Sequence, residues 1–209
     1  MTMSYDEVAR RLMHEHAAGQ NFHPLGPDAN VRNVDDAYGV QRSLVELMRP
    51  KAGAPVGYKI GLTSARMQKM CGIDRPVAGM VLANRVHATG AVLQAARYGR
   101  LGLEFEIGVR VGRDLPPAEG PFEMDGVAQA VDGVCAAVEL VDDRHADYAT
   151  LNAVSLIADN SWSAGVVLGE FKTTWPDLAA VRGTVQLNGG EVDRGHGRDL
   201  LGHPFVPLT

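Results

Sequence analysis

Cysteine is scarce: Cys71 and Cys135 are the only two, with no CxxC spacing and no nearby paired histidines. That excludes a disulfide framework and gives no support to a zinc site, so both thiols read as core or near-site residues. Positive charge is also short. Twenty Lys and Arg against 25 Asp and Glu give a net charge of -5, and no basic stripe is present, so nucleic acid is not expected as a partner. No apolar run approaches the length of a membrane span. The start, Met1 to Glu7, has neither a positive n-region nor an apolar h-region, so no membrane association is expected and the cytoplasm is the default location. Nucleophile elbow, Walker loop and GxGxxG are all absent, which removes motif support for acyl-serine chemistry and for nucleotide binding.

What remains is a chain of 209 residues, 45% hydrophobic and 22% charged, enough for one main domain with a sizeable core. Two helices open it. Ser4 to Glu7 has capping-box form ahead of Tyr5, Val8 and Leu12 at helical spacing, and Asn33 with Asp36 does the same for Ala37, Val40, Leu44, Leu47 and Met48. Pro50 is read as following the second helix. A strand around Val56 to Ile60 comes next, then a brief helix through Met70 capped by Thr63 or Ser64. From Gly79 onward short apolar runs alternate with Gly, Pro, Asn and Asp, a β-rich pattern. It predicts strands near 80–83, 91–93, 102–111, 134–141, 164–169, 183–188 and 191–194, with Asn188-Gly189-Gly190 joining the last two as a hairpin. Glu123 to Val131 and Asn152 to Ala158 are read as short helices.

The most informative segment is Leu103-Glu104-Phe105-Glu106-Ile107, followed later by Val138-Glu139-Leu140-Val141-Asp142. Glu104 and Glu106 are two residues apart, so on a strand they leave the same face. Taken alone, such a pair is ordinary solvated surface. Glu139 changes that reading, because it interrupts an apolar run from Val134 to Val141. Three carboxylates on two apolar strands repel one another and are costly to bury unless a cation neutralises them, and an all-oxygen set suits Mg²⁺ or Mn²⁺.

Gly57-Tyr58-Lys59-Ile60-Gly61-Leu62-Thr63-Ser64 encloses one lysine among small and apolar residues. It is either a snorkelling strand lysine or a cation and proton donor facing an anionic substrate. Ala158-Asp159-Asn160-Ser161-Trp162-Ser163-Ala164-Gly165 gathers polar groups that either satisfy a turn or bind a ligand. Arg144 is expected to pair with Asp142, and His145 to be exposed without a role.

Those segments, with Arg100 to Ile107, Val138 to Arg144 and Leu201-Gly202-His203-Pro204, resemble in order the 2-keto-4-pentenoate hydratase and 4-oxalocrotonate decarboxylase branch of the fumarylacetoacetate hydrolase superfamily. The resemblance implies a mixed, β-rich α/β (α+β) fold around a rolled sheet, with an N-terminal helical segment over 1–55 and a catalytic domain over 56–209. It implies that Glu104, Glu106 and Glu139 ligate Mg²⁺ or Mn²⁺ and that Lys59 is the active-site lysine. Asp74 and Ser161 are further catalytic candidates, and Leu62, Asp159, Asn160 and Ser163 are substrate-binding candidates. The implied reaction is hydration of a 2-hydroxypenta-2,4-dienoate-like substrate in aromatic-compound degradation. The alternatives are a 4-oxalocrotonate-type decarboxylation or a non-catalytic partner subunit. A homo-oligomer is expected, or a complex with a related pathway enzyme. Two departures stand out: Val77 occupies a position where several hydratases of the family carry an acidic residue, and the chain stops at Thr209, short of the family's usual C-terminal part.

Overall fold

Helix α1 (Tyr5–Ala17) starts where Ser4 Oγ accepts the Glu7 N–H at 3.3 Å and Glu7 returns the bond to Ser4 N at 2.7 Å. In this computed structural model, which describes residues 3–116, 118 and 120–209, its buried Val8, Ala9 and Leu12 belong to the same core as the inner face of α2 (Val34–Ala52). Asn33 caps α2 by accepting from Asp36 N at 2.9 Å. The helix runs through Pro50 instead of ending before it. Pro50 lies in the last turn, its ring angle suits a helix, and the carbonyl it leaves without a partner belongs to the exposed Glu46, where water can replace the bond.

Strand β1 (Pro55–Gly61) pairs antiparallel with β2 (Val77–Leu82), placing Lys59 opposite Gly79. Between them Ser64 caps α3 (Ala65–Cys71). A four-stranded sheet follows, in the order β3 (Val86–Ala88), β6 (Ser163–Leu168), β5 (Val131–Asp142), β4 (Leu101–Val111). Its β3–β6 pair is parallel and the others are antiparallel. The strand expected at 91–93 does not form: Val92 is 93% exposed beyond a turn, and the short β3 just before it supplies the edge instead. That triplet is apolar but has no strand to pair with, whereas Val86 and His87 sit in register with Val166 and Val167.

Helix α4 (Met124–Ala130) leads into β5, and α5 (Ala153–Ala158) is capped by Asn152. The hairpin of β7 (Arg182–Leu187) and β8 (Gly190–His196) turns at Asn188 and Gly189, both left-handed as such a two-residue loop requires. The larger core joins α1, α2, α3, β2 and α5; a smaller one gathers Val127, Val131, Val134, Leu178 and Phe205. Among the described residues no helix is long and apolar enough to cross a membrane.

Candidate metal-binding active site

The long β4–β5 strand pair sets Glu104 directly opposite Glu139, with Glu106 two residues further along and opposite Ala137. All three side chains therefore leave one face of the sheet. One carboxylate oxygen from each lies within 4.8 Å of the others. Like charges facing each other across a strand pair are destabilising, and Glu139 is only 5% exposed. Lys59 Nζ pairs with Glu139 Oε1 at 3.1 Å, and no other donor meets this buried oxygen. Burial pushes Glu106 up to about 7, reinforced by Glu104 and Glu139 and opposed by Lys59. Burial likewise pushes Glu139 up to about 7, against the pull of Lys59 and with help from Glu104. Three converging carboxylates, one buried and one half-buried, with a single ammonium beside them leave uncompensated negative charge, and such a set of hard oxygen donors fits a divalent cation of the Mg²⁺, Mn²⁺ or Ca²⁺ type.

The sign of the pH effect follows from the raised values. A carboxyl whose folded pKa lies above its unfolded 4.5 favours the protonated folded state, so the metal-free protein should lose stability as pH rises from about 4.5 through about 7. A cation must displace those protons. Added Mg²⁺ should therefore raise the melting temperature more at about pH 8 than at about pH 5.5. Thermal denaturation with and without chelator at both pH values checks this; an equal shift at both would disprove it.

Lys59 is 12% exposed and runs between two glycines. A Cβ on Gly79 would meet Asn160 O at 2.7 Å and Lys59 Cγ at 3.2 Å, and one on Gly61 would lie 3.2 Å from Lys59 Nζ. The lysine is thus an enclosed cation, not a snorkelling one. It lines an open cavity of about 1230 Å³ together with Leu62, Glu104, Glu106, Tyr148, Ser161 and Trp162.

Ser161 reaches that wall on a strained turn. Asn160, Ser161 and Trp162 have φ of 50°, 50° and 57°, a left-handed run costing about 1–2 kcal/mol per residue for L-amino acids. The turn is pinned to β2: Asn160 Oδ1 accepts from Met80 N at 2.7 Å, its Nδ2 donates to Met80 O at 2.9 Å, and Ser161 Oγ donates to Ala78 O at 3.2 Å. Buried Gln41 braces the same place, its Nε2 donating to Ala78 O and Ile157 O.

Of the residues singled out in the sequence, Lys59, Leu62, Glu104, Glu106 and Ser161 line the cavity, and Glu139 stands beside Lys59. Four others do not reach it. Asp74 follows α3 on the surface, its side chain 82% exposed and paired with Arg75 at 3.0 Å, away from the cavity lining. Asp159 is fully buried between Arg144 and His16, Asn160 spends its amide on the Met80 backbone, and Ser163 is buried with its carbonyl accepting from Arg85. The polar side-chain atoms of Asp159 and Asn160 are thus engaged within the protein. Arg144 likewise pairs through its side chain with Asp159, not Asp142, while His145 is exposed. Cys71 sits in the core and Cys135 lines the cavity.

Sequence reasoning missed Tyr148 and Trp162. Tyr148 Oη donates to Asp143 at 3.0 Å, its ring meets Trp162 edge-on at 5.8 Å, and Arg100 holds Asp143 through two bonds of 2.7 and 2.5 Å. Burial first and Asp143 second push the Tyr148 hydroxyl up to about 12, so it stays a neutral donor.

Comparison with known proteins gives a consistent set. The family model described as fumarylacetoacetate (FAA) hydrolase C-terminal matches residues 61–207. A 2-keto-4-pentenoate hydratase of Paraburkholderia xenovorans (strain LB400) is 33% identical over 202 residues, covering 96% of this chain and 74% of that protein. The enzyme of the same name from Burkholderia vietnamiensis (strain G4 / LMG 22486) is 32% identical over 206 residues, covering 97% and 77%. Among solved structures, 4-oxalocrotonate decarboxylase from Pseudomonas putida G7, complexed with magnesium and adipate, superposes with a TM-score of 0.87 at 25% identity, covering 96% of this chain and 76% of that one.

Proposed function

The chain belongs to the fumarylacetoacetate hydrolase family, and from that premise we propose that it is a divalent-metal-dependent hydratase of a 2-hydroxydienoate such as 2-hydroxypenta-2,4-dienoate. The product would be a 4-hydroxy-2-oxo acid. The observation that carries this reading is the converging carboxylate trio beside an enclosed lysine at a cavity wall. Glu104, Glu106 and Glu139 would hold Mg²⁺ or Mn²⁺; the ion, once bound, supplies a Lewis acid for the substrate's carboxylate and C2 oxygen.

The chain's own residues supply the rest. Lys59 offers a compact ammonium to the developing negative charge and a proton for C5 as the enol proton leaves O2, giving the conjugated 2-oxo acid. Water then adds across the remaining double bond, its oxygen to C4 and its proton to C3. Leu62 and Trp162 present apolar walls to the carbon chain, and Ser161 stands near Lys59 as a polar group able to orient the water. Hydration is preferred to decarboxylation because the hydratase relatives are 29–33% identical, against 26–27% for the decarboxylase relatives. The decarboxylase remains the second reading on the strength of its 0.87 superposition.

The deciding experiment incubates the purified protein and Mg²⁺ with 2-hydroxypenta-2,4-dienoate and, separately, with 4-oxalocrotonate. Loss of dienol absorbance with formation of the 4-hydroxy-2-oxo acid, abolished by chelator, is expected. Release of CO₂ from the dicarboxylate without hydration of the first substrate would replace this reading with the second.

A further inference from the structure

The carboxylate of Asp159 has zero exposure and two side-chain partners, His16 Nε2 at 2.5 Å from Oδ1 and the Arg144 guanidinium, whose Nη2 lies 2.5 Å from Oδ2. Neither partner faces the cavity. His16 ends α1, and Arg144 is 3% exposed, with Nη1 donating to Gln20 O at 3.2 Å and its guanidinium 5.8 Å from the Phe22 ring. Phe22 in turn donates its N–H to Arg144 O at 2.8 Å and meets Trp162 edge-on at 5.1 Å. On the main chain, Asp159 O accepts from Trp162 N at 3.0 Å. Asp159 therefore grips both ends of one construction: its backbone closes the left-handed turn, and its side chain anchors that turn to the N-terminal helix.

We propose that Asp159 is a positioning residue whose buried carboxylate, held by Arg144 and His16, locks the turn 160–162 that sets Ser161 and Trp162 in the cavity wall beside Lys59. Stability alone is a weak reason for such an arrangement, because apolar side chains of similar volume often serve as well as a buried ion pair. Its location is the stronger reason. Three consecutive L-residues at positive φ persist only where the surroundings over-determine them, and such strain gathers at functional sites. Asn160 and Ser161 hold the turn from the β2 side, and Asp159 is its counterpart on the α1 side. The two sides meet near Lys59: the position of a Cβ on Gly79 lies 3.2 Å from Lys59 Cγ and 3.3 Å from Ser161 Cβ. Slackening one side would shift Ser161 relative to the lysine while leaving the carboxylate trio on its own strand pair untouched.

The activity arm of the test rests on the proposed hydratase reading; the spectroscopic arm does not. Trp175→Phe leaves Trp162 as the single tryptophan, since the chain has two. In that background Asp159→Asn is expected to weaken the near-ultraviolet circular dichroism of Trp162 and red-shift its emission. It should also lower kcat by about 10²-fold, with KM and Mg²⁺ affinity within about threefold of the parent. His16→Ala should show the same pattern at about one tenth of the kcat effect, and His16→Gln, which keeps a donor, should recover most of it. Leu44→Ala, a fully buried α2 residue, should lose stability yet keep the Trp162 signature and kcat. If Asp159→Asn does not fold, the His16 pair decides. Parental Trp162 spectra in both Asp159→Asn and His16→Ala would overturn the proposal, as would an equal spectral and kcat change in Leu44→Ala. An altered Trp162 signature in a protein whose parent hydrates no dienoate would uphold the positioning role and reject the hydratase reading.

Discussion

Glu106→Gln should weaken Mg²⁺ binding by about 10²-fold or more while raising the melting temperature of the metal-free protein at about pH 8. The two effects have one cause. In the metal-free protein the Glu106 carboxylate is held up at about 7 by burial and by Glu104 and Glu139, so ionising it costs folding free energy. A neutral amide of the same shape removes that cost, and relief of about 1 kcal/mol corresponds to about 2–4 °C in a chain of this size. The cation, by contrast, loses one of three negative charges. A purely structural glutamate would not give opposite signs. Titration calorimetry returning the parental affinity would remove Glu106 from the metal site, and a lowered melting temperature in the metal-free variant would refute the electrostatic account.

Lys59→Ala should lower kcat by about 10² to 10⁴ and raise KM far less, because its cation meets most of the negative charge only as the reaction proceeds. Mg²⁺ affinity should not fall, since the ammonium at 3.1 Å from Glu139 Oε1 competes for that oxygen instead of ligating the ion. Lys59→Arg should not restore the rate. The planar guanidinium cannot release a proton, and the space between Gly61 and Gly79 is fitted to a slim chain. Steady-state kinetics with calorimetry on the same preparations checks both parts; parental kcat in Lys59→Ala would move the donor role to another residue.

The helices and the trio were legible in the sequence because their signals are local. Ser4 with Glu7 and Asn33 with Asp36 announce their own helix starts, and the spacing of Glu104 and Glu106 fixes their common face before any partner strand is known. Glu139 stood out by interrupting an apolar run, and the structure places it opposite Glu104. What failed depended on distant partners. The strand at 91–93 was assigned from an apolar triplet, while the short parallel β3 is decided by β6, about eighty residues away. The contacts of Asp159 and Asn160 are equally out of reach of a linear sequence, which does not show that Arg144, His16 and the Met80 backbone engage them. Tyr148 lies in an aperiodic loop, and its place in the cavity wall follows from Asp143, Arg100 and Trp162.

All three candidate metal ligands ride on one antiparallel strand pair, β4 and β5, whereas Lys59 belongs to a different two-stranded sheet and Ser161 to a turn beyond α5. On the proposed mechanism the electrophilic half of the chemistry would therefore be built from neighbouring strands, and the proton-handling half would be brought to it by separate parts of the chain. Such a division makes the two halves separately mutable. Substitutions around β1, α3 and the 160–162 turn can reshape which bond is made or broken at the carbon chain without disturbing how the cation is held. A scaffold of this kind would let the reaction change while the carboxylate trio stays in place.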